Sequence, residues 1–112
     1  MLSPVAIALC PPARDLVDVD RLAQVAAAVP GLMRATLYGS IVLGEWDPET
    51  SDVDILVDGD PGAEQALAGA VSGNGVPLGI AVDARHVDQL TFWHVRDIRR
   101  RGVILYDRNS NG

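Results

Sequence analysis

The most constraining stretch of this 112-residue chain runs Ser51, Asp52, Val53, Asp54, Ile55, Leu56 and Val57. Read as a strand, it sends successive side chains to opposite faces, so Asp52 and Asp54 project on one side and Val53, Ile55 and Val57 on the other. Such a strand belongs in a sheet whose apolar face is covered by other elements. At a rise of about 3.3 Å per residue the two carboxylates stand roughly 7 Å apart at the backbone and can converge on one small volume. Like charges that close raise each other's pKa unless a cation or a proton compensates. Either the pair merely solvates an exposed strand face, or it holds a divalent cation. Magnesium suits it best, because it takes one or two protein carboxylates and fills its other positions with water and phosphate oxygens.

Hydrophobic periodicity around this strand alternates between helix and strand. Leu22, Val25, Ala26 and Val29 repeat at helical spacing, with Asp18 or Asp20 as N-cap and Pro30-Gly31 as the stop. Residues 33–38 read as a strand ending at Gly39-Ser40. Ala63, Ala66, Leu67, Ala70 and Val71 mark a second helix that Gly73, Asn74 and Gly75 break. A strand over 78–82 is predicted to lead into Asp83. A helix over 87–101 follows, its stripe formed by Val87, Leu90, His94 and Ile98, and a last strand spans 103–106. Pro4, Pro11 and Pro12 limit residues 1–17 to an arm or a short strand, and 108–112 read as a disordered tail. The fold class is α/β or α+β: one domain over 1–112, with a single mixed sheet of about four strands and helices packed on it.

The net charge of −6 argues against sequence-independent nucleic-acid binding, which needs a positive face to displace counterions. A nucleotide held through metal ions is compatible with acidity. All nine basic residues are arginine, so phosphate contacts fall to arginine, metal or backbone and a catalytic lysine is excluded. The lone Cys10 has no partner for an internal disulfide and reads as a buried thiol. The apolar run at 5–10 is too short to span a bilayer and no basic residue precedes it, so a cytoplasmic protein without a membrane anchor is expected.

Gly39-Ser40 adds a second chemical element. A glycine lets backbone approach a ligand closely, and free N–H groups at a helix start form a phosphate site, with the Ser40 hydroxyl as a further donor. A short helix over 41–44 would complete it.

Together, Gly39-Ser40, Gly44 and Ser51-Asp52-Val53-Asp54 followed by Ile-Leu-Val resemble the signature of the DNA polymerase beta-like nucleotidyltransferases. The short length is closest to the minimal nucleotidyltransferase (MNT) domains, which pair with HEPN-domain proteins in toxin–antitoxin systems. The resemblance covers roughly residues 22–107 and implies a third carboxylate after a later strand, a position that Asp83 fits. It further implies that Asp52, Asp54 and Asp83 hold two magnesium ions and are the catalytic residues. Gly39 and Ser40 would bind the distal phosphates of ATP or another nucleoside triphosphate. The implied reaction moves AMP to a hydroxyl, on a HEPN-domain partner. A non-catalytic antitoxin-like subunit and an aminoglycoside-type transferase are the alternatives. A homo-oligomer is a further expectation. Minimal members often carry arginines just after Gly-Ser, where this chain has Ile41 and Leu43, and the loop between Gly44 and Asp52 is about one residue longer.

Other residues invite two readings. His94 falls in the apolar stripe and reads as a core or boundary histidine, while His86 reads as a helix-entry residue or one that approaches the site. Arg99, Arg100 and Arg101 either offset a helix dipole or form a patch for a partner or nucleic acid, the first being the favoured reading. Trp46 either stacks on a nucleobase or covers the core edge. Phe92 and Trp93 fall off the stripe as exposed aromatics.

Overall fold

Burial along the central strand organises the molecule. In the computed structural model, which describes residues 4–74 and 81–109, β2 (Val53–Gly59) lies between β1 (Leu32–Tyr38) and β3 (Val82–His86). β4 (Val103–Asp107) extends the sheet beyond β1, giving the order β3-β2-β1-β4. β1 runs antiparallel to β2 and β4, whereas β2 and β3 are parallel. The predicted single mixed sheet of four strands is what forms.

Val53, Ile55 and Val57 are fully buried, as alternation requires, and join Ala35 and Leu37 of β1 in the main core. The helices opposite are α3 (Val19–Ala27), which contributes Leu22, Val25 and Ala26, and α5 (Ala63–Asn74), which contributes Ala63, Leu67 and Val71. Asp18 caps α3, its carboxylate accepting the Arg21 amide at 3.0 Å. Leu56 points to the other face and is fully buried too. Apart from it, Ile98 is the one buried aliphatic among the described residues outside the main cluster, and it sits on α6 (Phe92–Arg101), which packs on β1. Each buried aliphatic side chain contributes about 1.5–3 kcal/mol, so β2 is fixed in register from both sides.

Three expectations need correction. Residues 4–16 form neither arm nor strand but two short helices, α1 (Pro4–Ala8) and α2 (Pro11–Leu16). Pro11 and Pro12 fall in the first turn of α2, where the missing N–H is no loss and a fixed φ favours the helix. Leu9, Cys10 and Ala13 are buried there, and the Cys10 amide donates to the Ile41 carbonyl at 3.0 Å.

The third strand begins at Val82 rather than ending there, so Asp83 is its second residue; most of the 78–82 stretch lies outside the described residues. The helix expected over 87–101 is divided. A 3-10 turn at Val87–Gln89 is capped by His86, Leu90 is extended, and Thr91 starts α6 by accepting the His94 amide at 3.1 Å. A hydroxyl at an N-cap satisfies a donor that a helix interior position would not. Of the expected tail, Arg108 and Asn109 are tied back by amide hydrogen bonds to Met33 O and Asp107 Oδ1, and 110–112 lie outside the described residues.

Gly59 ends β2 at φ 147°, and a β-carbon there would collide with the Gly31 carbonyl oxygen. Gly59→Ala is therefore expected to cost about 3 kcal/mol, read as a lower denaturant midpoint at unchanged slope.

Candidate active site

The turn from β1 into α4 (Ser40–Leu43) needs a residue at positive φ, and Gly39 supplies it at φ 77°. A β-carbon at Gly39 would lie 2.6 Å from Asp54 Oδ2, so the bare backbone of this turn sits directly against the carboxylate. Gly44 closes the single turn of α4 at φ 90°.

Register sets the rest. Tyr38 is paired with Asp54 across the antiparallel ladder, and Asp54 with Asp83 across the parallel one. Three neighbouring strands thus present Tyr38, Asp54 and Asp83 in one row on the same face. Above them opens a cleft of about 530 Å³, bounded by Val42 and Leu43 of α4 and by His94, Ile98 and Arg101 of α6.

The carboxylates crowd one another. Burial, then the negative charges of Asp83 and Asp52, push the Asp54 pKa from 3.8 up to about 6, although Arg85 and His94 pull the other way. Burial, then the charges of Asp54 and Asp83, also raise the Tyr38 hydroxyl above its ordinary value. Asp83 is partly neutralised by Arg85, whose Nε donates to both carboxylate oxygens at 3.3 Å. Among the described residues Asp54 has no such ion pair. That is the electrostatic signature of a group suited to a divalent ion, which would be attracted where a proton is now favoured. Among the described residues no three His, Cys, Asp or Glu side chains close into a metal cage. Magnesium does not need one, since one or two carboxylates plus substrate phosphates suffice.

Of the five residues singled out from sequence, Gly39, Asp54 and Asp83 line the cleft. Asp52 precedes β2, is exposed and lies outside the lining, yet its charge reaches Asp54. Ser40 is the half-buried first residue of α4, also outside the lining. Trp46 covers the core edge: it is buried, and its indole N–H donates to the Asp52 carbonyl at 3.1 Å, anchoring the loop that delivers Asp52.

Tyr38, Arg85 and His94 belong to the cleft although the sequence did not single out the first two and discounted the third. His94 meets the Tyr38 ring edge-on, with centroids 5.8 Å apart. The signal available was strand parity: Arg85 shares a face with Asp83 and Tyr38 with Thr36, whereas His86 falls on the core face. His86 is buried there, bonded to the Gly59 carbonyl at 2.8 Å and capping the 3-10 turn through the Asp88 amide.

A family model described as a nucleotidyltransferase domain matches residues 22–106. The chain belongs to that family. No curated protein matches this nucleotidyltransferase domain, but solved structures share its fold. One is a toxin–antitoxin complex with AMP-PNP, 20% identical over 83% of this chain and 76% of the other, with a TM-score of 0.64. Another is a mutant of the toxin–antitoxin pair MntA-HpeT, 17% identical over 83% and 75%, with a TM-score of 0.62. A third is the tri-AMPylated HEPN toxin of Shewanella oneidensis in complex with its MNT antitoxin, 20% identical over 80% and 69%, with a TM-score of 0.51. Among the described residues of the domain, no helix is long and apolar enough to cross a membrane.

Because Asp54 holds its proton more tightly folded than unfolded, stability of the metal-free domain falls as pH rises from about 3.8 to about 6. Asp54→Asn cannot ionise and escapes this loss. In chelator, its melting temperature should exceed that of the unaltered domain at pH 8, and the gap should close below pH 4. Asp83→Asn should lower the Asp54 midpoint, as read by carboxyl NMR titration, because of the two neighbouring carboxylates Asp83 raises it more.

Proposed function

We propose that this domain is a magnesium-dependent transferase that moves AMP from ATP onto a hydroxyl group of a HEPN-domain partner protein. The observation that carries the reading is the row of Asp54 and Asp83 across adjacent strands, with Gly39 backbone pressed against Asp54, whose pKa stays raised although Arg85 and His94 partly offset its neighbours. The AMP-PNP complex and the AMPylated HEPN toxin among proteins of the same fold support the choice of donor and acceptor.

Asp52, Asp54 and Asp83 would hold two magnesium ions. When bound, the ions supply Lewis-acid stabilisation of the triphosphate oxygens and of the attacking oxygen. The chain's own groups do the positioning. Gly39 and Ser40, at the start of α4, receive the distal phosphates through backbone N–H groups and the hydroxyl. Arg85, which donates to Asp83 and lines the same cleft, would offer its guanidinium to a phosphate held there. The acceptor hydroxyl gives its proton towards Asp83, and its oxygen attacks the α phosphorus in line. The bond from that phosphorus to the bridging oxygen breaks, and pyrophosphate leaves with the electron pair.

Asp54→Asn preserves shape while removing charge. Incubated with magnesium, labelled ATP and a HEPN-domain protein from the same organism, the variant should transfer label at least about a hundredfold more slowly than the unaltered chain. Equal labelling by the variant would sink the proposal. Stable complex formation without label from the unaltered chain would make it a non-catalytic binding subunit instead.

Gly39→Ala should abolish most transfer as well, because its β-carbon enters the Asp54 carboxylate at a φ that alanine resists. Labelled transfer by that variant at the normal rate would remove the turn from the site.

A further inference from the structure

Phe92 and Trp93 are two of only five aromatic side chains in the chain, and at 71% and 70% exposed they are its most exposed large apolar groups among the described residues. They open α6, whose first turn is fixed by the Thr91 cap. Their rings meet edge to face with centroids 5.3 Å apart, and the Arg96 guanidinium lies 5.8 Å from the Trp93 centroid. At about 100° per residue, Phe92, Trp93, Arg96 and Arg100 share one face of the helix. The other side carries His94, Ile98 and Arg101 into the cleft.

Charge narrows what covers this face. The chain is acidic overall, at −6, yet four of its nine arginines lie on α6 against a single carboxylate, Asp97. Arg99 is paired with Asp58 at 2.7 Å and Arg101 with Asp97 at 3.1 Å. Among the described residues, Arg96 and Arg100 have no carboxylate partner. Two such cations beside perpendicular rings make a poor nucleic-acid platform, which needs a run of phosphate contacts and flat faces for stacking. A second copy docking symmetrically would set arginine against arginine. Rigid aromatics ringed by arginine instead have the make-up of a protein-interface hot spot.

We propose that this face of α6 docks the acceptor-bearing protein partner, which presents an acidic surface around an apolar socket for Phe92 and Trp93. Since the same helix walls the cleft, docking there brings the partner's hydroxyl to the cleft rim. The inference rests on the transferase reading for the partner's identity.

The test is titration calorimetry of this chain with a HEPN-domain protein from the same organism, at low and high salt. The double variant Phe92→Ala, Trp93→Ala should bind at least about thirtyfold more weakly. The double variant Arg96→Glu, Arg100→Glu should bind about tenfold more weakly or worse, and lose the weakening by salt that the unaltered chain shows. Melting temperatures and AMP-PNP binding should be unchanged in both, since all four side chains are exposed and outside the cleft. Undiminished partner binding by both variants overturns the docking site and leaves the transferase reading intact. No binding by the unaltered chain overturns the reading and the docking site with it. Self-association or oligonucleotide binding that the variants lose would assign the face to a second copy or to nucleic acid, and would likewise overturn the proposal.

Discussion

Carboxylates on neighbouring strands repel, and much of this molecule serves to hold two of them side by side. At about 4 Å, two like charges near a protein surface cost roughly 1–4 kcal/mol. Against that stand four fully buried aliphatic side chains on β2, Val53, Ile55, Leu56 and Val57, each contributing about 1.5–3 kcal/mol. The apolar contribution is the larger. Register is therefore set by the core, and Asp54 and Asp83 have to meet. Burial first, and then the unrelieved part of the repulsion, keep the pKa of Asp54 raised.

The sheet consequently has two unequal faces. One is closed by α3, α5 and the N-terminal helices into a continuous apolar core. The other carries Tyr38, Asp54, Asp83 and Arg85 and is only partly roofed, by α4 and α6, which leaves the cleft between them. The two helices differ in how they are held. α4 is a single turn between glycines at positive φ, tied through Ile41 to the Cys10 amide. α6 is longer, fixed by the Thr91 cap and by the Arg99 to Asp58 ion pair. A face built this way keeps its charged groups half-solvated between two capped helices.

Periodicity made most of the fold legible. The face of α3, the alternation of β2, the Gly39 turn and the order of helices and strands from α3 to β4 are local patterns, and local patterns survive into the tertiary structure. Failures came where local rules compete. Prolines read as breakers in 1–17, but at the first turn of α2 they favour the helix. The stripe from Val87 to Ile98 was a helical period without a helix across its middle, because Thr91 is a better cap than interior residue. Placing Asp83 after a strand rather than inside β3 hid Arg85 as its partner and misplaced His86, since a strand's parity decides which face each residue takes.

By itself the sequence determined the family, the Gly39 turn and the placement of Asp54 on the face opposite Val53, Ile55 and Val57, because each depends on spacing within one short segment and on the chemistry of the residues there. Only the tertiary structure decided which groups share the cleft. Tyr38, His94 and Arg85 come from three elements, and their meeting with Asp54 depends on strand register and on how α6 lies across β1. Register is a property of pairing between strands far apart in the chain, fixed by the sum of core contacts rather than by any local motif.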